Sequence, residues 1–426
     1  MTQLNELSAR EVVSMIAARE ASAEEVTKAC LDHIEKREKD VLAFQFLDPE
    51  LALNQARALD LSPSAGILHG LPLGVKDIIE TIDMPTGWGS EIYEGRMTGR
   101  DAACVALCRA AGAVMLGKTV TSEFACYSPG KTRNPHDIGR TPGASSMGSA
   151  AGVADFMFPV GFGSQTASSI IRPAAHCGTV GYKVTTGTFS LDGVMELCNS
   201  LDTLGFLTRE IGDVALMRAA LLGDSAEMQV RDESDSPRIA LVRTKHWPEA
   251  EAITREVVES AAKKLSDAGA IVEEPELPEG FDGLTEAHET IMPYEALRGR
   301  AFEIRNHREG LTDVFRAFAE EAQAISFGEY VAAQDLAIRC RKGVDDLFDR
   351  YDLFLTPSAV GEAIELGGLT GNPMFSRLWT LLHVPLISLP VASGPQGLPI
   401  GIQLVGRHGA DNKLLADAQW VRDRLA

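Results

Sequence analysis

The sequence predicts an α/β protein with a layered core. Apolar runs typical of buried strands alternate with helical periodicity from residue 70 onward, and strand-like runs return near the C-terminal end. The 426 residues are 45% hydrophobic and 23% charged, a balance typical of folded globular proteins. This composition excludes disorder as the main state of the chain.

The elements follow one another in an order that suits one sheet. Near the N-terminus, Ser8 with Glu11 and Ser22 with Glu25 have the spacing of helix capping boxes. Helices are also predicted at 101–111 and 249–268, and buried strands at 113–117, 238–243, 270–273, 352–355, 385–391 and 399–405. Because the chain leaves the sheet and later returns to it, one large domain with a helical insertion fits better than two domains.

We therefore expect a single domain over residues 1–426. Its N-terminal part, 1–60, is expected to be helical. The segment 70–222 is expected to hold the functional core, and 285–350 to be a helical, more variable insertion.

Charge and cysteine content restrict the partners and the compartment. The net charge of −20 repels phosphate backbones and anionic lipids, so neither direct nucleic-acid binding nor membrane binding is expected. No apolar run reaches the roughly 18 residues of a membrane span, and residues 1–6 show no signal-peptide pattern. Seven cysteines without a C-x-x-C pair suit reduced thiols and give no zinc pattern. We expect a cytoplasmic protein.

Three polar residues stand out from small or apolar surroundings. Lys76 ends the apolar run that begins at Gly70, while Ser145 and Ser169 lie in segments rich in small and hydroxyl residues. Between residues 143 and 169, 16 of 27 residues are Gly, Ala or Ser. Small residues let backbones approach closely, which a crowded active-site core requires.

With these motifs the sequence resembles the amidase signature family. The 69-residue step from Lys76 to Ser145 and the 24-residue step to Ser169 match the usual spacing of that family's triad. The resemblance covers most of the chain and resumes at 352–357 and 397–406. It implies the amidase signature fold, a large mixed β-sheet core flanked by helices on both faces.

The resemblance also implies a Ser–cis-Ser–Lys triad. Ser169 would be the nucleophile, Ser145 the bridging serine with a cis peptide bond, and Lys76 the terminal base. A buried lysine can be neutral and can then accept a proton, which a serine must lose before it attacks. The expected oxyanion hole consists of the backbone N–H groups of Thr166, Ala167, Ser168 and Ser169. Ser164 would support the triad by orienting Ser145. The family's chemistry implies no metal and no organic cofactor.

Departures from the common family pattern suggest what the substrate carries. Gln165 stands where the family usually has Asp, and Ile171 where it has Arg, so both members of an ion pair are absent together. Arg172 is gained three residues after Ser169, as in the malonamidase-type branch, where an arginine binds the substrate carboxylate. The alternative is that Arg172 forms a structural ion pair with an acidic residue.

Three functions follow, with one favoured. The leading interpretation is an amidase that cleaves a C–N bond of a small amide, which carries a carboxylate if Arg172 binds one, through a seryl acyl-enzyme. Ammonia or an amine would be released. The second is the glutaminase subunit of a tRNA-dependent amidotransferase, which needs a partner subunit. The third is a non-catalytic scaffold paralogue, against which the retention of Lys76, Ser145 and Ser169 argues. A homodimer is the commonest closed assembly, but the sequence leaves the oligomeric state open.

Overall fold

The computed structural model describes residues 3–63, 66–232, 235–367 and 370–425. Within these residues, fourteen α-helices accompany eleven strands. The strands are β1 (Phe44–Leu47), β2 (Pro72–Lys76), β3 (Val114–Thr119), β4 (Val160–Gln165), β5 (Val180–Lys183), β6 (Thr203–Thr208), β7 (Arg238–Leu241), β8 (Ile271–Glu273), β9 (Leu353–Pro357), β10 (Leu386–Ser393) and β11 (Pro399–Val405). The helices are α1 (Ala9–Ala17), α2 (Ala23–Val41), α3 (Pro49–Asp60), α4 (Ala103–Ala110), α5 (Met147–Ala154), α6 (Ile171–Cys177), α7 (Ile211–Leu222), α8 (Ala252–Asp267), α9 (Leu284–Gly299), α10 (Ala301–Asn306), α11 (Asp313–Ala322), α12 (Phe327–Phe348), α13 (Met374–Leu381) and α14 (Asp411–Leu425).

All the described strands belong to one mixed sheet. Their order across the sheet is β1-β3-β2-β4-β6-β5-β10-β11-β9-β7-β8. The pairs β3–β2, β2–β4, β9–β7 and β7–β8 are parallel, and the other neighbours are antiparallel. The prediction of an α/β fold with a large mixed sheet is confirmed.

The N-terminal part contains a strand that the sequence analysis did not predict. Both capping boxes are present at the starts of α1 and α2. After α2, however, β1 pairs antiparallel with β3, with Phe44 opposite Thr119. Phe44 is buried and contacts the ring of Phe158 edge-on at 5.5 Å. Four residues carry too little periodicity to be recognised as a strand beside two long helices, so the entirely helical interpretation of 1–60 was wrong here.

Small residues allow the close backbone contacts that position the functional segments. In α5, a Cβ on Gly148 would lie 2.2 Å from the carbonyl oxygen of Ala43 and 2.4 Å from the nitrogen of Val120. A Cβ on Gly161 in β4 would lie 2.8 Å from the Cβ of Ser149. The small-residue block therefore packs α5 directly onto the sheet.

The segment 285–350 is helical in the structure and comprises most of α9 together with α10, α11 and α12. Helix α9 packs against both α12 and α13. Through α13 the segment reaches the region that follows β4. Among the described residues, no helix is both long enough and apolar enough to cross a membrane.

Candidate active site

The ends of two parallel strands bring the predicted residues together. Lys76 is the last residue of β2 and Gln165 the last of β4, and these strands are neighbours in the sheet. Neighbouring parallel strands end at the same edge, where the open ends of α/β sheets commonly form binding sites. Ser145 lies in the loop before α5, and Ser169 in the loop between β4 and α6.

Lys76 is fully buried and surrounded by hydroxyl groups. Its Nζ donates hydrogen bonds to the Oγ atoms of Ser145 and Ser164, both at 2.8 Å, and of Ser146 at 3.0 Å. Among the described residues, no carboxylate lies within ion-pair distance of this nitrogen. Burial disfavours the charged form and lowers the pKa of Lys76 to about 7, against a smaller opposing effect of the Asp202 charge. A neutral amine is therefore available near neutral pH.

Ser145 provides the only contact that the two serines of the predicted triad make with Lys76 in the described part of the chain. The Ala144–Ser145 peptide bond is cis, as the family resemblance implied. The hydroxyl of Ser145 accepts the bond from Lys76 and has no acceptor of its own among the described residues. Its proton is therefore free to point toward another group.

Ser169 lines the same cavity as Ser145. Its hydroxyl makes no hydrogen bond to another described residue, and so the Ser169–Ser145 bond of a complete relay is not formed here. Its carbonyl oxygen accepts a bond from the N–H of Ser146 at 3.2 Å, which holds the Ser169 backbone beside the other loop. Catalytic hydrogen bonds are often longer before substrate binds, and rotation about χ1 is enough to redirect a serine hydroxyl.

The segment between β4 and α6 presents free backbone donors. In the described structure, the N–H groups of Ala167, Ser168 and Ser169 donate no hydrogen bond to another residue. The same segment, which starts at Thr166, lines the cavity that contains Ser145. Unpaired N–H groups next to a nucleophile are the donors that a developing oxyanion requires.

Two serines support Lys76 instead of Ser145. The hydroxyl of Ser164, predicted to orient Ser145, accepts its bond from Lys76. Ser146, which the sequence analysis did not select, accepts a second bond from Lys76 and donates to the Ser164 carbonyl oxygen at 3.2 Å. The block of adjacent serines was the available signal, but nothing in it distinguished Ser146 from a residue that caps α5.

Gln165 replaces the usual aspartate without leaving a buried charge. Its Oε1 accepts the N–H groups of Ile170 and Ile171, at 3.0 and 3.1 Å, where α6 begins. Its Nε2 donates to the hydroxyl of Thr380 in α13. The neutral amide thus satisfies the start of the helix that carries Arg172.

Arg172 is buried without a carboxylate partner among the described residues. Its guanidinium donates to the carbonyl oxygens of Gly371 and Ala144 and, at 3.4 Å, to the hydroxyl of Thr370. Its Nε has no partner. Burial lowers the pKa of Arg172 to about 10, so it remains charged at neutral pH. The alternative interpretation, a structural ion pair, is wrong for the described part of the chain.

The cavity above these residues is small and contains one fixed charge. It encloses about 20 Å³, room for about one water molecule. Arg172 is the only charged residue among those described as lining it. The remaining lining residues are Ala125, Cys126, Tyr127, Ala144, Ser145, Thr166, Ala167, Ser168, Ser169, Leu197, Met292, Thr370 and Pro373.

A second cation lies behind one wall of the cavity. Arg377 of α13 donates a 3.1 Å hydrogen bond to the Tyr127 hydroxyl, and it also pairs with Glu289 of α9. The Tyr127 ring contacts Phe318 of α11, and burial raises the pKa of its hydroxyl. Tyr127 and Arg377 are 250 residues apart, so no local pattern could have linked them.

Known proteins share this sequence along nearly its whole length. A model of the Amidase family matches residues 25–415. The chain therefore belongs to the amidase family, the amidase signature enzymes that cleave amide C–N bonds. The predicted family is thereby confirmed.

Individual relatives narrow the comparison. The A subunit of glutamyl-tRNA(Gln) amidotransferase from Acidothermus cellulolyticus is 34% identical over 472 aligned residues, which span 97% of this chain and 93% of that protein. A solved structure described as an amidase is 28% identical with a TM-score of 0.91, over 99% of this chain and all of the other. The structure of the corresponding amidotransferase polypeptide from Thermotoga maritima is 26% identical with a TM-score of 0.81, over 98% and 94%. These names favour the amidotransferase-subunit interpretation over that of a free-standing small-amide amidase.

Proposed function

We propose that this chain cleaves an amide C–N bond with Ser169 as the nucleophile, Ser145 as the bridging serine and Lys76 as the base. The observation that carries the proposal is the 2.8 Å hydrogen bond from a fully buried Lys76 to Ser145. A lysine with a pKa of about 7 is a competent base near neutral pH. Ser169 lies in the same cavity with free N–H donors beside it.

The groups suit acyl transfer in two halves. Ser145 passes its proton to neutral Lys76 and receives the proton of Ser169, whose oxygen attacks the amide carbon. The negative charge on the substrate oxygen is met by N–H groups of the 166–169 segment. The tetrahedral species collapses as the proton returns through Ser145 to the leaving nitrogen, and ammonia or an amine departs. Water then attacks the seryl ester by the same proton route and releases the acid.

Arg172 is the proposed binding residue for a substrate carboxylate. It is a buried cation without a counter-ion among the described residues, and an unpaired buried charge is costly. A carboxylate in the cavity would supply the missing negative charge and pair with the guanidinium. This role agrees with the malonamidase-type pattern around Gln165 and Arg172.

Glutamine is the first candidate substrate. It is an amide that carries a carboxylate, and the relatives named as subunits of glutamyl-tRNA(Gln) amidotransferase support this choice. In that case the chain would act as the glutaminase subunit of a complex, and the released ammonia would pass to a tRNA-bound acceptor on a partner subunit.

A short half-amide such as malonamate is the second candidate, favoured by the lining of the cavity. Glutamine also carries an ammonium group, which needs an anionic partner when it is buried. The described lining residues include no carboxylate, and the cavity is small. A half-amide offers an amide and a carboxylate without the ammonium group.

Ammonia release from a panel of amides tests the proposal. The panel contains glutamine, malonamate, succinamate and the neutral propionamide, each with the purified chain and with Ser169→Ala. We expect at least one carboxylate-bearing amide to be hydrolysed at least tenfold faster than propionamide, and Ser169→Ala to abolish the reaction. Turnover of glutamine alone selects the first candidate, and turnover of a half-amide without glutamine selects the second. Hydrolysis that survives in Ser169→Ala, or no hydrolysis of any of the four, would overturn the proposal.

A further inference from the structure

A buried carboxylate that is not part of the predicted triad holds one end of the loop with free N–H donors. Asp202 lies directly before β6, and its side chain accepts three hydrogen bonds. Its Oδ1 accepts the hydroxyl of Thr166 at 2.5 Å, and its Oδ2 accepts the N–H groups of Leu197 and Cys198 at 2.6 and 3.0 Å. Thr166 and Leu197 both line the cavity, so Asp202 joins two of its walls.

Thr166 is held from two sides. Its hydroxyl is bound by Asp202, and its carbonyl oxygen accepts a 2.9 Å hydrogen bond from Nε2 of His288 in α9. Burial lowers the pKa of His288 to about 3, so this histidine is neutral and the contact does not depend on pH near neutrality. Thr166 is also the first residue after β4, where the backbone leaves the sheet and exposes its N–H groups.

We propose that Asp202 is a positioning residue that fixes the oxyanion-binding segment 166–169 through the hydroxyl of Thr166. This inference rests on the proposed function, because it assigns Asp202 a role in orienting the donors of that mechanism. Donors stabilise an oxyanion only when they are fixed before charge develops, and small displacements are costly. A threonine hydroxyl held by a carboxylate is a strong, charge-assisted anchor for such a segment.

The same carboxylate acts on Lys76 at longer range and thereby provides an independent readout. The groups in hydrogen-bond contact with Lys76 are the neutral side chains of Ser145, Ser146 and Ser164, and Asp202 is the charged residue whose field acts on it. That field favours the ammonium form. Removal of the negative charge therefore lowers the pKa of Lys76 further, and Lys76 becomes neutral at lower pH.

Asp202 is itself ionised above about pH 6. Burial raises its pKa to about 6, and the hydrogen bonds from Thr166, Leu197 and Cys198 oppose that rise. The nearby Glu196 adds a smaller upward effect. Most Asp202 side chains are consequently charged at the pH where Lys76 loses its proton, and a neutral replacement changes the field in the range that can be measured.

Three variants separate anchoring from charge: Thr166→Val, Thr166→Ser and Asp202→Asn. Each is assayed by ammonia release from malonamate or glutamine, whichever the unmodified chain hydrolyses, over pH 5–10. We expect Thr166→Val to lower kcat by about 10- to 100-fold with KM changed less than about threefold, and Thr166→Ser to restore most of that loss. The acid limb of kcat/KM stays in place in both.

Asp202→Asn is expected to lower kcat by a similar factor and also to move the acid limb down by about half a pH unit or more. An unchanged kcat in Thr166→Val, with a normal thermal midpoint, would overturn the positioning role. An acid limb that stays in place in Asp202→Asn would overturn the charge effect. If Asp202→Asn fails to fold, the Thr166 pair decides alone. Loss of Ser169-dependent turnover in the unmodified chain is the separate result that contradicts the proposed function.

Discussion

The Nζ of Lys76 donates a 2.8 Å hydrogen bond to the Oγ of Ser145, 69 residues further along the chain. The lysine is fully buried, and no described carboxylate is close enough to form an ion pair with it. A charged ammonium in this position lacks the compensation that buried charges require, so the neutral amine is favoured as the pH approaches 7. Ser145 is therefore hydrogen-bonded to a potential base, which is the first requirement of the proposed relay.

The activity of the chain should rise with pH. Protonated Lys76 cannot accept a proton, so kcat/KM should increase about tenfold per pH unit below pH 7 and level off above it, because the pKa of Lys76 is about 7. Steady-state rates of ammonia release between pH 5 and 10 test this expectation. A flat profile, with the chemical step shown to be rate-limiting, would exclude Lys76 as the base.

Arg172→Ala should discriminate between charged and neutral substrates. Loss of the guanidinium should lower kcat/KM for a carboxylate-bearing amide by roughly a hundredfold, because a buried carboxylate would lose its partner. A neutral amide of similar size is the control and should lose much less. Arg172→Lys should recover only part of the loss, since an ammonium does not reproduce the planar fork.

Equal losses on both substrates would instead assign Arg172 to the support of the cavity wall. Its contacts with the carbonyl oxygens of Gly371 and Ala144 provide that alternative role. The comparison of two substrates on one variant separates binding from support.

Gln165→Leu should destabilise the fold. The substitution leaves the N–H groups of Ile170 and Ile171 without their present acceptor at the start of α6, and it removes the bond to Thr380. Buried donors without partners cost about 1–3 kcal/mol each, so the free energy of unfolding should fall by about 2–4 kcal/mol. Urea denaturation measures this change. A loss below about 0.5 kcal/mol would show that these groups find other partners.

Gly148→Ala should be more damaging than an alanine elsewhere in a helix. The added Cβ would lie 2.2 Å from the carbonyl oxygen of Ala43, a backbone atom that cannot turn away. We expect a loss of at least about 2 kcal/mol of unfolding free energy or failure to fold. Gly299→Ala is the matched control, because nothing lies within 4 Å of the added Cβ at that helix end. Equal stability of the two variants would contradict the close packing of α5 on the sheet.

The sequence predicted those parts of the structure that local patterns encode. Capping serines marked the starts of α1 and α2, and apolar runs marked the strands from β7 to β11. The family spacing correctly indicated that Lys76 and Ser145 meet, because parallel strands and short loops limit where these residues can lie.

Contacts between distant segments were not predictable in the same way. Gln165 meets Thr380 across 215 residues, and Thr166 meets Asp202 across 36. Nothing near Asp202 in the sequence distinguishes it from an exposed aspartate. Its role in the structure depends on where β6 lies relative to β4, and this is a property of the sheet as a whole.

The proposed chemistry depends most on Ser169 being a nucleophile that Lys76 activates, and covalent labelling tests that claim most directly. A fluorophosphonate forms a P–O bond to an activated serine and releases fluoride, and peptide mass spectrometry locates the modified residue. We predict a single modification on Ser169, and labelling at least a hundredfold slower in Lys76→Met, which keeps a side chain of similar length without a base. Modification of a different serine, or wild-type labelling of Ser169 in a folded Lys76→Met variant, would contradict the account.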